Sequence, residues 1–218
     1  MNADLSKLPA KLHHIPAYQP FFKEAIATEQ PSLDQLVHAI ATFQRRIKTS
    51  RSNFDRFVRG DTAALNDQQM LGLHLYRTKA RCINCHSGPL FSDQNFHNIG
   101  FTLYGEAKED LGRYAVTKQA EDVGKFKTPS LRNTTRTGPC LHNGMFQDLR
   151  GLVNTYNNGM PHPKRKANQL QDQLFPETST HLKPLALSVA ERDALIAFLE
   201  SISTLPYPVN RPSLPGLD

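Results

Sequence analysis

Two of the three cysteines in this 218-residue chain fall in Cys82-Ile83-Asn84-Cys85-His86, a C-x-x-C-H run. With three Cys and nine His, a shuffled chain would hold that run only about one time in a thousand. C-x-x-C-H is the attachment signature of c-type haem. One turn of helix brings two thiols to the two vinyl groups of a porphyrin, and the next residue turns its imidazole to the iron as proximal ligand. The competing chemistries are less well served. Structural zinc wants four ligands, and here Cys140 is isolated and no H-x₃₋₅-H pair exists. An iron–sulfur cluster wants four thiolates, and a thioredoxin-like dithiol wants a βαβ context that the pattern lacks.

The elements that must position this motif read as helices. Ser32 and Gln35 form a capping box before Leu33, Leu36, Val37, Ile40, Phe43 and Ile47, which keep the 3.6-residue period over residues 32–49. A second helix is expected to start at Asn66, with Gln69 at its third position and Met70, Leu73 and Tyr76 along one face, and to run directly into Cys82. A third spans about 148–158 with Leu149, Leu152, Val153 and Tyr156 on one face and Gly159 as its stop. The last spans about 188–203, capped by Ser188 and Glu191, with Leu195, Phe198, Leu199 and Ile202 facing inward. Residues 87–144 show no period and no convincing hairpin, a stretch too long for an empty loop. A large buried prosthetic group would organise it. The chain is therefore expected to be mostly α, with long irregular segments.

Composition narrows the remaining classes. No window approaches the roughly 18 apolar residues of a membrane span, and the opening MNADLSKLPAKLHH lacks the apolar stretch of a secretory signal. An odd cysteine count argues against a disulfide framework. Net charge is +6, with basic clusters at Arg45-Arg46-Ile47-Lys48 and Lys164-Arg165-Lys166. Neither interleaves aromatic residues as single-strand binding would favour, so nucleic acid is not an expected partner.

A longer ordered set of residues carries a resemblance. Lys79-Ala80-Arg81-Cys82-Ile83-Asn84-Cys85-His86-Ser87-Gly88-Pro89-Leu90-Phe91 precedes Phe96-His97-Asn98-Ile99-Gly100 and Gly112-Arg113. Phe126-Lys127-Thr128-Pro129-Ser130-Leu131-Arg132-Asn133, Thr137-Gly138-Pro139, His142-Asn143-Gly144 and Tyr156-Asn157-Asn158-Gly159 follow. Over about residues 20–204 this resembles the C-terminal, electron-transfer half of the bacterial di-haem cytochrome c peroxidases and their MauG-type relatives. The resemblance implies a cytochrome c-like haem domain at 62–205, an N-terminal helical segment at 1–61 left from or linking to a missing haem domain, and a Pro-rich tail at 206–218. It departs from the family in having one C-x-x-C-H and no tryptophan, so the aromatic bridge between two haems is missing too.

The same resemblance supplies expectations for single residues. Tyr156 matches the position of the second axial ligand, with Met160 as the alternative. Arg113 and Lys127 stand where they could pair with haem propionates, and the carbonyls of Thr137 and Pro139 where calcium is bound. His97 and His142 are expected to be structural, Cys140 a free thiol, and Met145 a packing residue. The implied activity is passage of electrons from a small redox protein, a cytochrome or cupredoxin, through one covalent haem c towards a peroxide-reducing haem. That places the chain in the periplasm beside a second haem domain, with a homodimer as a further option. The alternatives are a stand-alone mono-haem c-type electron carrier and a haem-free fragment.

Overall fold

The computed structural model describes residues 4–205, 207, 208 and 213. Among the described residues eight helices, α1 (Leu8–His13), α2 (Gln19–Ile26), α3 (Leu33–Arg46), α4 (Asn53–Phe57), α5 (Asp67–Arg77), α6 (Tyr114–Thr117), α7 (Leu149–Asn157) and α8 (Val189–Ser201), are joined by 3₁₀ turns and long irregular stretches. The fold is mostly helical, as the periodicity implied. Contacts divide the chain into two compact units, Met1–Ser50 with Leu205–Asp218, and Arg51–Thr204. Most of the Pro-rich tail, including Pro206, Pro212 and Pro215, lies outside the described residues. No described helix is long and apolar enough to cross a membrane.

In the first unit α3 starts where its capping box dictates, with Ser32 accepting from the Gln35 N–H and the Gln35 side chain accepting from Ser32 N–H at 2.9 Å. Of its apolar face only Leu36 is buried, and Val37, Ile40 and Phe43 are each more than half exposed.

The second unit is organised by α5 and α8. Both are capped by boxes, Asn66 with Gln69 and Ser188 with Glu191. Their inward faces supply Leu73, Leu75, Tyr76, Ala194, Leu195, Phe198 and Leu199 to one core, to which α7 adds Val153. The helices approach so closely at Gly72 that a Cβ there would sit 1.9 Å from the Ala194 carbonyl oxygen. Glycine at this position is a packing requirement, whatever it costs the helix. At one end of the core, Phe54, Tyr76, Phe91 and Phe198 form an aromatic cluster with ring centroids 5.0–6.1 Å apart, the offset and edge-on spacing that aromatic quadrupoles favour.

Two expectations are corrected. α5 does not run into Cys82: it ends at Arg77, where the Thr78 hydroxyl donates back to the His74 carbonyl at 2.7 Å and the Ala80 N–H folds back to Leu75 O at 2.9 Å. Burial of Ala80 pulls the chain across the helix end, and Arg81 takes a left-handed conformation (φ +54°) to start a new turn. Residues 87–144 are also less bare than they read. Phe96–Asn98 (β1) and Lys125–Lys127 (β2) pair antiparallel, Phe96 opposite Lys127, with α6 and short 3₁₀ turns between or near them. Three-residue strands so far apart in sequence are too short to leave an alternating pattern.

Candidate haem site

After α5 closes, Cys82–Asn84 forms a single 3₁₀ turn, and the His86 N–H donates to Cys82 O at 2.9 Å. This turn carries both thiols and the imidazole. It is fixed to the core from several sides. The Tyr76 hydroxyl, on α5, donates to the His86 carbonyl oxygen. Lys79 pairs with Glu191 of α8 at 2.7 Å, and the Arg81 guanidinium donates to Lys183 O at 2.9 Å.

The loop beyond the turn is braced by the segment after β2. Ser92 Oγ donates to Thr128 O at 2.7 Å and Ser130 Oγ to Leu90 O at 2.6 Å. Arg132 donates to Pro89 O at 2.7 Å and makes a two-pronged pair with Asp55 at 2.9 and 3.1 Å. These braces hold Phe91, whose ring is in the core and whose carbonyl oxygen lies 3.0 Å from His86 Nδ1. Engaging Nδ1 with a backbone carbonyl fixes the neutral tautomer and aims Nε2 away, the arrangement metal-bound histidines use.

The electrostatics favour neutral donors. Burial pushes the Cys82 thiol up to about 12. Burial also raises Cys85, helped by the negative charge of Asp93. Burial lowers His86, against the opposing pull of the Phe91 and Pro129 carbonyls and of Asp93. A neutral imidazole suits iron ligation, and the two thiols stand with it on one turn in C-x-x-C-H order. The donor set therefore fits haem c.

Tyr156, half-buried on α7, belongs to the same neighbourhood. Burial raises its hydroxyl well above the ordinary phenol. Met160, beyond the helix end, is buried in a left-handed conformation (φ +63°) and donates its N–H to Thr155 O at 3.1 Å. Arg113 already has partners: its Nε donates to the buried Asp122 at 2.9 Å and its guanidinium lies 4.2 Å over the Phe96 ring. Lys127 is exposed on β2. Thr137 and Pro139 share an exposed turn after the 3₁₀ segment Thr134–Arg136. The His142 ring stacks on Phe126 at 3.6 Å between centroids, and Cys140 is partly buried.

The structure also brings Asp93, which the sequence did not single out, beside Cys85 and His97. Cys85, Asp93 and His97 place one donor atom each within 4.8 Å of one another. Asp93 accepts from Asn95 N–H at 2.9 Å and lies 2.8 Å from His97 Nε2. Three donors fall short of a closed zinc site, and one is the thiol a haem would take. Tyr76, read as a packing residue, has its hydroxyl on the attachment turn. Nothing in their spacing marks these partners, since each contact depends on tertiary folding.

Comparison with known proteins places the chain among its relatives. A family model described as di-haem cytochrome c peroxidase matches residues 1–63. The cytochrome-c peroxidase IdrP1 of Pseudomonas sp. (strain SCT) is 34% identical over 245 residues, covering 99% of this chain and 62% of that protein. The methylamine utilization protein MauG of Methylorubrum extorquens is 34% identical over 218 residues, covering 99% and 57%. Among solved structures, a MauG-like protein associated with microbial copper homeostasis superposes with a TM-score of 0.75 at 25% identity, over 94% of this chain and 63% of that one. The chain spans about three fifths of the length of these relatives. With its C-x-x-C-H turn, its helical fold and these likenesses taken together, the chain belongs to the family of di-haem cytochrome c peroxidases and MauG proteins.

Proposed function

We propose that this chain is the c-type haem electron-transfer domain of a di-haem peroxidase or MauG-like oxidoreductase, relaying electrons from a small redox protein towards a peroxide-reducing haem outside it. The observation that carries the reading is the single turn on which Cys82, Cys85 and His86 stand together, with His86 Nδ1 engaged by the Phe91 carbonyl. Haem c, when bound, supplies reversible one-electron chemistry at its iron. In this reading Cys82 and Cys85 would hold the macrocycle covalently and His86 would ligate the iron. Tyr156, with Met160 as the alternative, would supply a second iron ligand, and a phenolate there would favour the ferric state. Arg113, through the guanidinium nitrogens not used on Asp122, and Lys127 are candidates for the propionates. The Thr137 and Pro139 carbonyls would give calcium two of the six to eight oxygens it prefers, the rest coming from the second haem domain.

Covalent haem attachment takes place on the outer side of the bacterial inner membrane, so the proposed location is the periplasm. The proposed partners are a cytochrome or cupredoxin donor and the second haem domain, with a homodimer as a further option. A mono-haem c-type electron carrier is the second reading. Intact mass and an alkaline pyridine spectrum test attachment, with one added haem and a c-type band expected. Colourless matured protein refutes the proposal. Peroxide-dependent oxidation of a reduced cytochrome by this chain alone argues for an enzyme, and clean one-electron redox without turnover for a carrier or a relay domain.

A further inference from the structure

The Asp93–His97 pair lies against the attachment turn and has no part in the proposed function. Asp93 is tied to the turn twice over: its N–H donates to Cys85 O at 2.7 Å, and its carboxylate lies within 4.8 Å of Cys85 Sγ. The carboxylate is only 15% exposed and its orientation is set by Asn95 N–H and by His97 Nε2, 2.8 Å away. His97 is itself placed by β1 and packs edge-on to His181, 6.3 Å between ring centroids. This is more than a surface ion pair. It is a charge held at fixed range from the sulfur that would join the macrocycle.

Resting on the electron-transfer reading, we propose that Asp93, oriented by His97, is a positioning residue that sets the haem potential, its negative charge favouring the oxidised iron over the reduced one. A fixed anion stabilises whichever state carries more positive charge, and a half-buried setting screens it less than water would. The carboxylate is ionised under working conditions. Burial works to raise its pKa, but hydrogen bonds from His97, Asn95 and Thr128 hold it at about 2. The role is distinct from that of the Phe91 carbonyl, which orients the imidazole and carries no net charge.

The test uses the haem-loaded chain and its Asp93→Asn, Asp93→Ser, Asp93→Glu and His97→Gln variants. Each is titrated spectroelectrochemically, with haem content measured in parallel. Asp93→Asn and Asp93→Ser are expected to raise the potential, so that at a fixed applied potential the reduced-to-oxidised ratio increases about tenfold. Asp93→Glu keeps the charge and is expected to stay within about twofold of the wild type. His97→Gln keeps the carboxylate and is expected to give no rise. An unchanged potential in the neutral variants overturns the inference, as does a rise in Asp93→Glu equal to that in Asp93→Asn. Failure of both neutral variants to hold haem, with Asp93→Glu holding it, makes the pair a structural requirement and also overturns it. If the wild type takes up no haem, the function proposed above fails instead.

Discussion

Gly72→Ala puts a single methyl between α5 and α8. That methyl would stand 1.9 Å from the Ala194 carbonyl oxygen and 2.7 Å from Phe198 Cβ. Ordinary contact lies near 3.5 Å, so the helices must part by about 1.5 Å. The obstruction is backbone, and no side chain can swing away to absorb it. Parting the helices loosens Phe198 from Tyr76 and Phe91, the rings beneath the attachment turn. Overpacking of this kind costs roughly 1–3 kcal/mol, and a backbone clash belongs at the upper end. Alanine returns about 1 kcal/mol of helix propensity. The net loss is about 2 kcal/mol, or a fall in Tm of about 4–8 °C for a chain of this size. Thermal unfolding by far-UV circular dichroism measures it. Gly151→Ala in α7 is the control, because its added carbon would meet Asp148 and Phe146 at an ordinary 3.5 Å. It is expected to raise Tm by about 2–4 °C through propensity alone. A Gly72→Ala protein as stable as the wild type refutes the reasoning, as does a Gly151→Ala protein that loses as much.

Three further outcomes are expected. Tyr156→Phe changes the ferric absorption spectrum of the haem-loaded chain if the phenol is a ligand, and an unchanged spectrum removes it from the iron. Tyr76→Phe leaves the His86 carbonyl without its donor; the loss is about 1–2 kcal/mol, read as a lower Tm, and an unaltered Tm would show that the contact contributes nothing. The Asp55 carboxyl gains from burial but is held below its ordinary 3.8, first by Arg132 and then by Ser52. The unfolded chain then binds more protons than the folded one at acid pH, so this contribution is present above about pH 4 and is lost as pH falls through the folded pKa. Tm measured from neutral pH down to about pH 3 should fall more steeply in the wild type than in Asp55→Asn. Parallel curves would count against the pair.

Legibility in the sequence followed the range of each interaction. Caps bond residues three apart, so the starts of α3, α5 and α8 and the inward face of Leu195, Phe198, Leu199 and Ile202 could be read directly. The attachment run is equally local. The end of α5 is not legible in the sequence, because the break comes from burial of Ala80 and a back-bonded Thr78, and periodicity carries no sign of either. β1 and β2 escaped notice because each is three residues long and finds its partner only in the folded chain. Asp93, Tyr76 and the Thr128–Arg132 brace belong to the candidate site through contacts between separate elements. Arg113 was legible as a cation, but its partner Asp122 was not.

The imidazole of His86 takes its direction from the Phe91 carbonyl, and Phe91 takes its own from an aromatic core shared with α5 and α8. An imidazole mounted on a dense hydrophobic interior, rather than on a solvated loop, has little room to shift. Under the proposed function, small nuclear rearrangement would keep repeated electron hops fast, and the edge-on and tilted rings would serve kinetics as well as stability.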